Sequence, residues 1–250
     1  MSEKHTWIIG IHAVTEALKQ RPDAVVELVV QAGRSDQRLQ AVRELAQAAG
    51  VPVAELSKQE LDKQVHGVHQ GIAALSARAG AVGDEKQLGT LLDGLDHDPL
   101  LLILDSITDP HNLGACLRTA DAAGVDAVII PKDKSAPVNE TVRKVACGAA
   151  ETVTIIAVTN LARCMQSLQE RGIWIVGTAD ETAKSLYELE LTGPLALVMG
   201  AEGTGLRRLT REHCDFLAAL PMAGAVSSLN VSVATGICLF EAVRQRAGSR

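Results

Sequence analysis

The chain has 250 residues, 47% of them apolar and 22% charged; that balance excludes a disordered or fibrous protein, and the length suits one large domain or two. Only five aromatics occur (Trp7, Trp174, Tyr187, Phe216 and Phe240), so the core must come from Val, Ile, Leu and Ala, and recognition of single strands by a row of stacked aromatics is disfavoured. A net charge of −6 disfavours a generic polyanion binder, so any hold on nucleic acid has to rest on local patches.

The opening segment MSEKHTWIIG lacks a signal-peptide pattern, and no apolar run approaches the roughly 18–20 residues of a membrane span. A soluble, cytoplasmic protein is expected. Periodicity predicts a helix over Gly10–Lys19, a strand over Val25–Val30, a helix over Asp36–Ala49 ending at Gly50 and a strand over Val51–Leu56. A short helix over Ser57–Gln64 and a strand over Ile72–Leu75 complete a small α/β sandwich. Residues 81–98 hold five acids, one Lys and three Gly, which predicts an acidic, flexible linker with a short helix around Leu88–Leu95. The domain boundaries expected are therefore 1–80, 81–98 and 99–250.

Beyond Pro99 the alternation is cleaner. Short, continuously apolar runs lie at Leu100–Leu104, Ala127–Ile130, Val153–Val158, Trp174–Gly177, Leu195–Met199 and Phe216–Leu220. Continuous rather than alternating apolar character predicts strands buried on both faces, hence a parallel sheet. Helices are expected at Asn112–Ala123, Val138–Ala146, Leu161–Glu170 and Val231–Arg246. Ligands of such sheets sit beyond the carboxyl ends of the strands, so the loops there are where chemistry is sought.

Three of those loops stand out. Asp105–Arg118 offers Asp109-Pro110 or Asn112 as a helix cap and one arginine, Arg118, on an otherwise small and apolar helix. Gly200–Gly205 (GAEGTG) has three glycines that let the backbone turn tightly and approach a ligand, with Glu202 as its single charge. It is not a GxGxxG fingerprint and does not follow the first strand, so dinucleotide binding fails. Leu220–Ser232 mixes Ser227, Ser228 and Asn230 with Leu220, Met222 and Leu229, a lining suited to a nucleoside-like ligand. Each also has a plainer reading: a solvated arginine, an ordinary turn and a helix cap.

Other signals are weaker. His66-Gly-Val-His69 lacks partner ligands for a metal, so a binding-surface loop is preferred and no metal is expected. Ser227-Ser228 sits in no GxSxG elbow, which excludes a hydrolase triad. Five widely spaced cysteines without CxxC predict reduced, buried thiols. Lys132/Lys134, Arg143/Lys144 and Arg207/Arg208/Arg211 form basic clusters beside the three loops, where a net acidic chain would grip an RNA backbone.

The runs NLGACLRTADAAGVDAVIIPK (Asn112–Lys132), LVMGAEGTGLRRL (Leu197–Leu209) and LPMAGAVSSLNVSVATGICLFEAV (Leu220–Val243) resemble the three motifs of the SpoU/TrmH ribose 2′-O-methyltransferases of the SPOUT superfamily. With GIHAV, VHQGI, KVACGAAE and VTNLAR the resemblance spans nearly the whole chain, toward members acting on a guanosine in the peptidyl-transferase region of 23S rRNA. It implies a C-terminal parallel-sheet domain with a deep trefoil knot, a rare exception to unknotted chains. It also implies a small N-terminal L30e-like domain that binds RNA. The implied cofactor is S-adenosyl-L-methionine, placed at Gly200, Gly203, Leu220, Met222 and Leu229. The implied catalytic set is Asn112, Arg118, Glu202, Ser228 and Asn230. The implied partners are 23S rRNA, naked or in a large-subunit assembly intermediate, and a second copy of the chain.

A guanidinium holds its proton too firmly to act as a base. Arg118 is therefore read as a phosphate and alkoxide binder. A non-catalytic RNA-binding protein would have lost Asn112, Arg118 or Glu202, and all three are present.

Overall fold

The computed structural model describes residues 6–20, 22–34, 36–65, 69–76, 82–180, 182 and 184–248. They form two compact units, Met1–Ala81 with Cys147–Thr152, and Val82–Ala146 with Val153–Arg250.

The first unit contains β1 (Thr6–Ile9), α1 (Ile11–Gln20), β2 (Val25–Gln31), α2 (Gln37–Ala48), β3 (Val53–Leu56), α3 (Lys58–Gln64) and β4 (Ile72–Ser76). Its sheet has the order β1-β4-β2-β3, with only β2 and β3 parallel. Helical spacing decides which side chains go inside. Val14 and Leu18 of α1 and Leu39, Val42 and Ala46 of α2 are buried against Leu28, Val30 and Ile72. Leu61 of α3 packs on the opposite sheet face with Val29 and Ala73. Each helix start is fixed by its cap: Asp36 accepts from the N–H groups of Arg38 and Leu39, and Ser57 with Glu60 forms a capping box.

The second unit begins with α4 (Glu85–Asp93), β5 (Leu100–Asp105), α5 (Pro110–Ala122), β6 (Ala127–Pro131) and α6 (Glu140–Ala146). After α7 (Ala149–Thr152), which packs on α1 in the first unit, come β7 (Thr154–Val158), α8 (Leu161–Glu170), β8 (Trp174–Thr178) and β9 (Leu195–Gly200). The last elements are α9 (Arg208–Glu212), β10 (Phe216–Ala218) and α10 (Val231–Gly248). All six strands are parallel, in the order β10-β8-β9-β5-β6-β7. Every residue of β5 and β6 is buried, as their unbroken apolar runs require.

Of the segment expected as an acidic linker, residues 82–98 are grouped with the second unit. Asp84 and Gln87 form a capping box for α4, Leu88 is buried, and Leu91 and Leu92 pack on the same core. Gly83 pairs with Ile156 beside β7. Of the segment's acids Glu85 and Asp93 lie on this amphipathic helix and Asp84 caps it, a pattern that overall composition hides.

Strand order positions the site. From β5 the chain proceeds to β6 and β7 on one side, whereas β9, its other neighbour, leads toward β10 on the far edge. Connections diverge between β5 and β9, so a crevice opens beyond their carboxyl ends. Asp105 and Gly200 are paired at that end.

Candidate active site

The crevice is built from the glycine turn outward. Gly200 admits no side chain: a Cβ there would overlap the carbonyl carbon of Gly205 and lie 2.5 Å from the nitrogen of Leu206. Ala201 and Gly205 exchange hydrogen bonds (N–H···O 3.2 and 2.8 Å), and Gly203 and Gly205 have φ of +76° and +64°. The turn therefore folds flat against the end of β9. Below it, Asp105 is fully buried and accepts from the Arg207 backbone N–H at 2.9 Å and from Arg207 Nε at 2.6 Å.

Above the turn lies a cleft of about 270 Å³. Gly200, Gly203, Leu220, Met222 and Leu229, the five residues expected around a cofactor, all line it, as do Glu202 and Ser228. Asn112 and Asn230 do not line it but are joined to it through Glu202. Asn230 Nδ2 donates to Glu202 Oε1 at 2.5 Å and to Asn112 Oδ1 at 3.0 Å, and the Val231 N–H donates to the same Glu202 oxygen at 3.3 Å. Asp109, not Asn112, caps α5, accepting from the His111 N–H at 3.0 Å. That leaves the Asn112 side chain available to the site. Asn230 in turn accepts from the Ser232 N–H and hydroxyl, at 3.0 and 2.6 Å.

Arg118 is placed differently. It is exposed on α5 and is not among the residues lining the cleft. Sequence reading also missed wall residues from a fourth carboxyl end, Thr178 closing β8 with Ala179 and Asp180 after it, and it gave Arg211 of α9 only to a basic cluster, not to the wall. The rule that directed attention to the other carboxyl ends applies equally to Trp174–Gly177, but no glycine cluster marks this loop.

Several signals resolve into structural roles. Arg207 is held by Asp105, and Arg208 pairs with Glu212 at 2.6 Å, so part of the third basic cluster is tied up within the unit. His66 lies outside the described residues. His69 is buried, its Nε2 2.7 Å from Asp62 Oδ1 and its Nδ1 accepting from the Gly71 N–H at 3.0 Å. No group of metal-ligating side chains occurs among the described residues. Cys116, Cys164 and Cys238 are buried as expected, but Cys214 is only partly buried and Cys147 is exposed. Burial pushes the Cys116 thiol up to about 11 and the Cys164, Cys214 and Cys238 thiols to about 12, so these four stay protonated near neutral pH.

Comparison with known proteins matches residues 99–240 to the SpoU rRNA Methylase family. The chain belongs to the SpoU family. Residues 7–79 match the model for RNA 2′-O ribose methyltransferase substrate binding. Among SpoU relatives, a protein of Pseudomonas aeruginosa named 23S rRNA (guanosine-2′-O-)-methyltransferase RlmB is 60% identical over 96% of each chain. RlmB of Haemophilus influenzae is 57% identical over the full length of both. The SpoU methyltransferase AviRb of Streptomyces viridochromogenes has the same fold, with a TM-score of 0.78 and 24% identity, covering 98% of this chain and 91% of that one.

Proposed function

We propose that this SpoU protein transfers a methyl group from S-adenosylmethionine to the ribose 2′-hydroxyl of a guanosine in 23S rRNA, as part of ribosome maturation. The carrying observation is the assembly of Asn112, Glu202 and Asn230, from three distant stretches, beside a cleft lined by all five expected cofactor residues. Relatives 57–60% identical over nearly the whole chain, named for that reaction, support the reading.

The residues present fit the cofactor chemically. Leu220, Met222 and Leu229 offer an apolar wall for a flat purine, and Glu202, Asp180 and Arg211 offer charges for the polar parts of an amino-acid-bearing nucleoside. Bound there, S-adenosylmethionine supplies an already activated sulfonium methyl. The protein's task is then to align the ribose oxygen and to accommodate its developing charge. Glu202 holds Asn230 and the start of α10, fixing the rim of the cleft. Arg118 would bind the phosphate beside the target ribose and stabilise the developing alkoxide, while the hydroxyl proton leaves to solvent water as the methyl is transferred. The 2′-hydroxyl as acceptor makes RNA the substrate.

The first unit would deliver the RNA, naked or within a large-subunit assembly intermediate, and the protein would work in the cytoplasm. No helix among the described residues is long and apolar enough to cross a membrane. The active form is a homodimer, its C-terminal segment threaded as a trefoil knot. Exposed Val233 and Phe240, seven residues apart on α10, give an apolar face for a second copy. Phe240→Asp should yield monomers in light scattering; an unchanged dimer would remove α10 from the interface.

Ribose-methylation mapping of rRNA and tRNA from cells with and without the gene tests the activity. Loss of one 23S guanosine signal is expected. Loss of none overturns the enzyme, and loss of a tRNA site overturns the substrate.

A further inference from the structure

The Asn230 side chain has only one orientation that its neighbours accept. On one side the Ser232 backbone N–H, which can only donate, lies 3.0 Å from Oδ1, and the Ser232 hydroxyl lies 2.6 Å from the same atom. On the other side, 2.5 Å from Nδ2, is the Glu202 carboxylate, which when ionised can only accept. The amide is therefore polarised across the site, with oxygen toward α10 and hydrogens toward Glu202 and Asn112.

This orientation sets that of Asn112. Its Oδ1 accepts from Asn230 Nδ2 at 3.0 Å, so the polar end left to an incoming ribose is the Asn112 Nδ2 pair of hydrogens. An amide presenting N–H stabilises a developing oxyanion and cannot take up a proton. With the opposite flip, Asn112 would present a carbonyl to the same charge and repel it.

We propose that Ser232 is a positioning residue for the transfer: by donating twice to Asn230 Oδ1 it fixes a one-way relay, Ser232 to Asn230 to Asn112, that makes Asn112 a hydrogen-bond donor to the reacting oxygen. This rests on the methyltransferase reading above. The Ser232 hydroxyl is the replaceable link: without it Asn230 Oδ1 still caps α10 by accepting from the Ser232 backbone N–H, but loses the shorter of its two donors and is held less firmly.

The test uses the full chain carrying Ser232→Ala or Ser232→Thr. In Ser232→Ala, kcat should fall about tenfold, the upper end of what losing one uncharged hydrogen bond costs. Affinity for S-adenosylmethionine should stay within about twofold, since Ser232 does not line the cleft. Ser232→Thr keeps the hydroxyl and should recover kcat to within about threefold. In protein labelled with ¹⁵N-asparagine, side-chain NH₂ exchange of Asn230 should quicken about tenfold in Ser232→Ala and not in Ser232→Thr. Wild-type kcat in Ser232→Ala, a Ser232→Thr variant as slow as Ser232→Ala, or unaltered exchange would each overturn the relay. If the wild-type protein methylates no RNA, the functional reading falls alone, and the exchange measurement still decides the relay.

Discussion

The carboxylate of Asp105, fully buried at the end of β5, accepts two hydrogen bonds from Arg207, 102 residues further along the chain. One comes from the backbone, so the clamp fixes the chain path just past the glycine turn and not merely a side chain. Ser106, immediately after Asp105, has a φ of +66°, a left-handed conformation costly for a residue with a Cβ. Asp105→Ala removes both acceptors and leaves the Arg207 N–H without its partner. A loss of about 1–3 kcal/mol is expected, at the lower end because the Arg207 side chain is 39% exposed. Thermal melting and calorimetric binding of S-adenosylmethionine should both weaken. A variant that melts and binds like wild type shows that the turn holds itself.

Gly200→Ala tests the turn from its other side. The added methyl would meet backbone atoms at 2.6 Å or less, none of which belongs to a flexible side chain. The turn has to lift from β9 or the strand end has to shift, and either distorts the cleft. Cofactor affinity should fall at least tenfold, while Gly203→Ala, whose Cβ would meet nothing within 4 Å, should cost only the strain of φ +76°, about 1 kcal/mol. Equal affinities for the two variants would remove close packing as the reason for Gly200.

Much of this was legible in the sequence because the signals are local. The unbroken runs that became β5 and β9 identify buried parallel strands wherever they occur, and Asp36 and Ser57 announce helix starts by their caps. β1, with only four residues, and α9, with five, carry too short a pattern to read. The meeting of Asn112 with Asn230 depends on strand order, which periodicity does not encode; only the resemblance of whole motifs brought them together in advance. Placing Arg118 outside the cleft lining required the coordinates, since helical spacing says which residues share a face but not what that face meets.

His97 gives a pH-dependent contact away from the site. Its ring lies 3.2 Å from Asp96 and 2.9 Å from Asp126, whose other oxygen accepts from the Leu100 N–H at the start of β5. The bond to Asp96 and then that to Asp126 hold the imidazole above its ordinary 6.5, and the bond to His97 holds Asp96 below 3.8. A raised histidine stabilises fully below its unfolded value and loses the effect as pH rises through the folded one. A lowered aspartate stabilises above its unfolded value and loses the effect as pH falls. The contact therefore acts most fully between about pH 4 and 6.5. His97→Gln should lower the melting temperature slightly near pH 5.5 and not at about pH 8.5. The effect is small because the ring is half exposed. Curves that stay parallel across that range would mean the contact contributes nothing.

Arg118→Ala separates binding from turnover. The side chain is exposed on α5, outside the cleft that the proposed cofactor occupies, and α5 is packed through Gly114 onto α6 and through Thr119 beside Gly236 of α10. Truncating Arg118 disturbs neither contact and removes nothing that lines the cleft, so S-adenosylmethionine affinity should match the wild type. An arginine that binds the phosphate and the developing alkoxide contributes a charge-assisted contact strongest in the transition state. Its loss should lower kcat by about 10²-fold or more, with a weaker hold on RNA that lessens as salt is raised. Arg118→Lys would keep the charge but lose the planar fork, and should recover only part of the rate. Near-normal methylation by Arg118→Ala would show that the exposed face of α5 takes no part in the transfer.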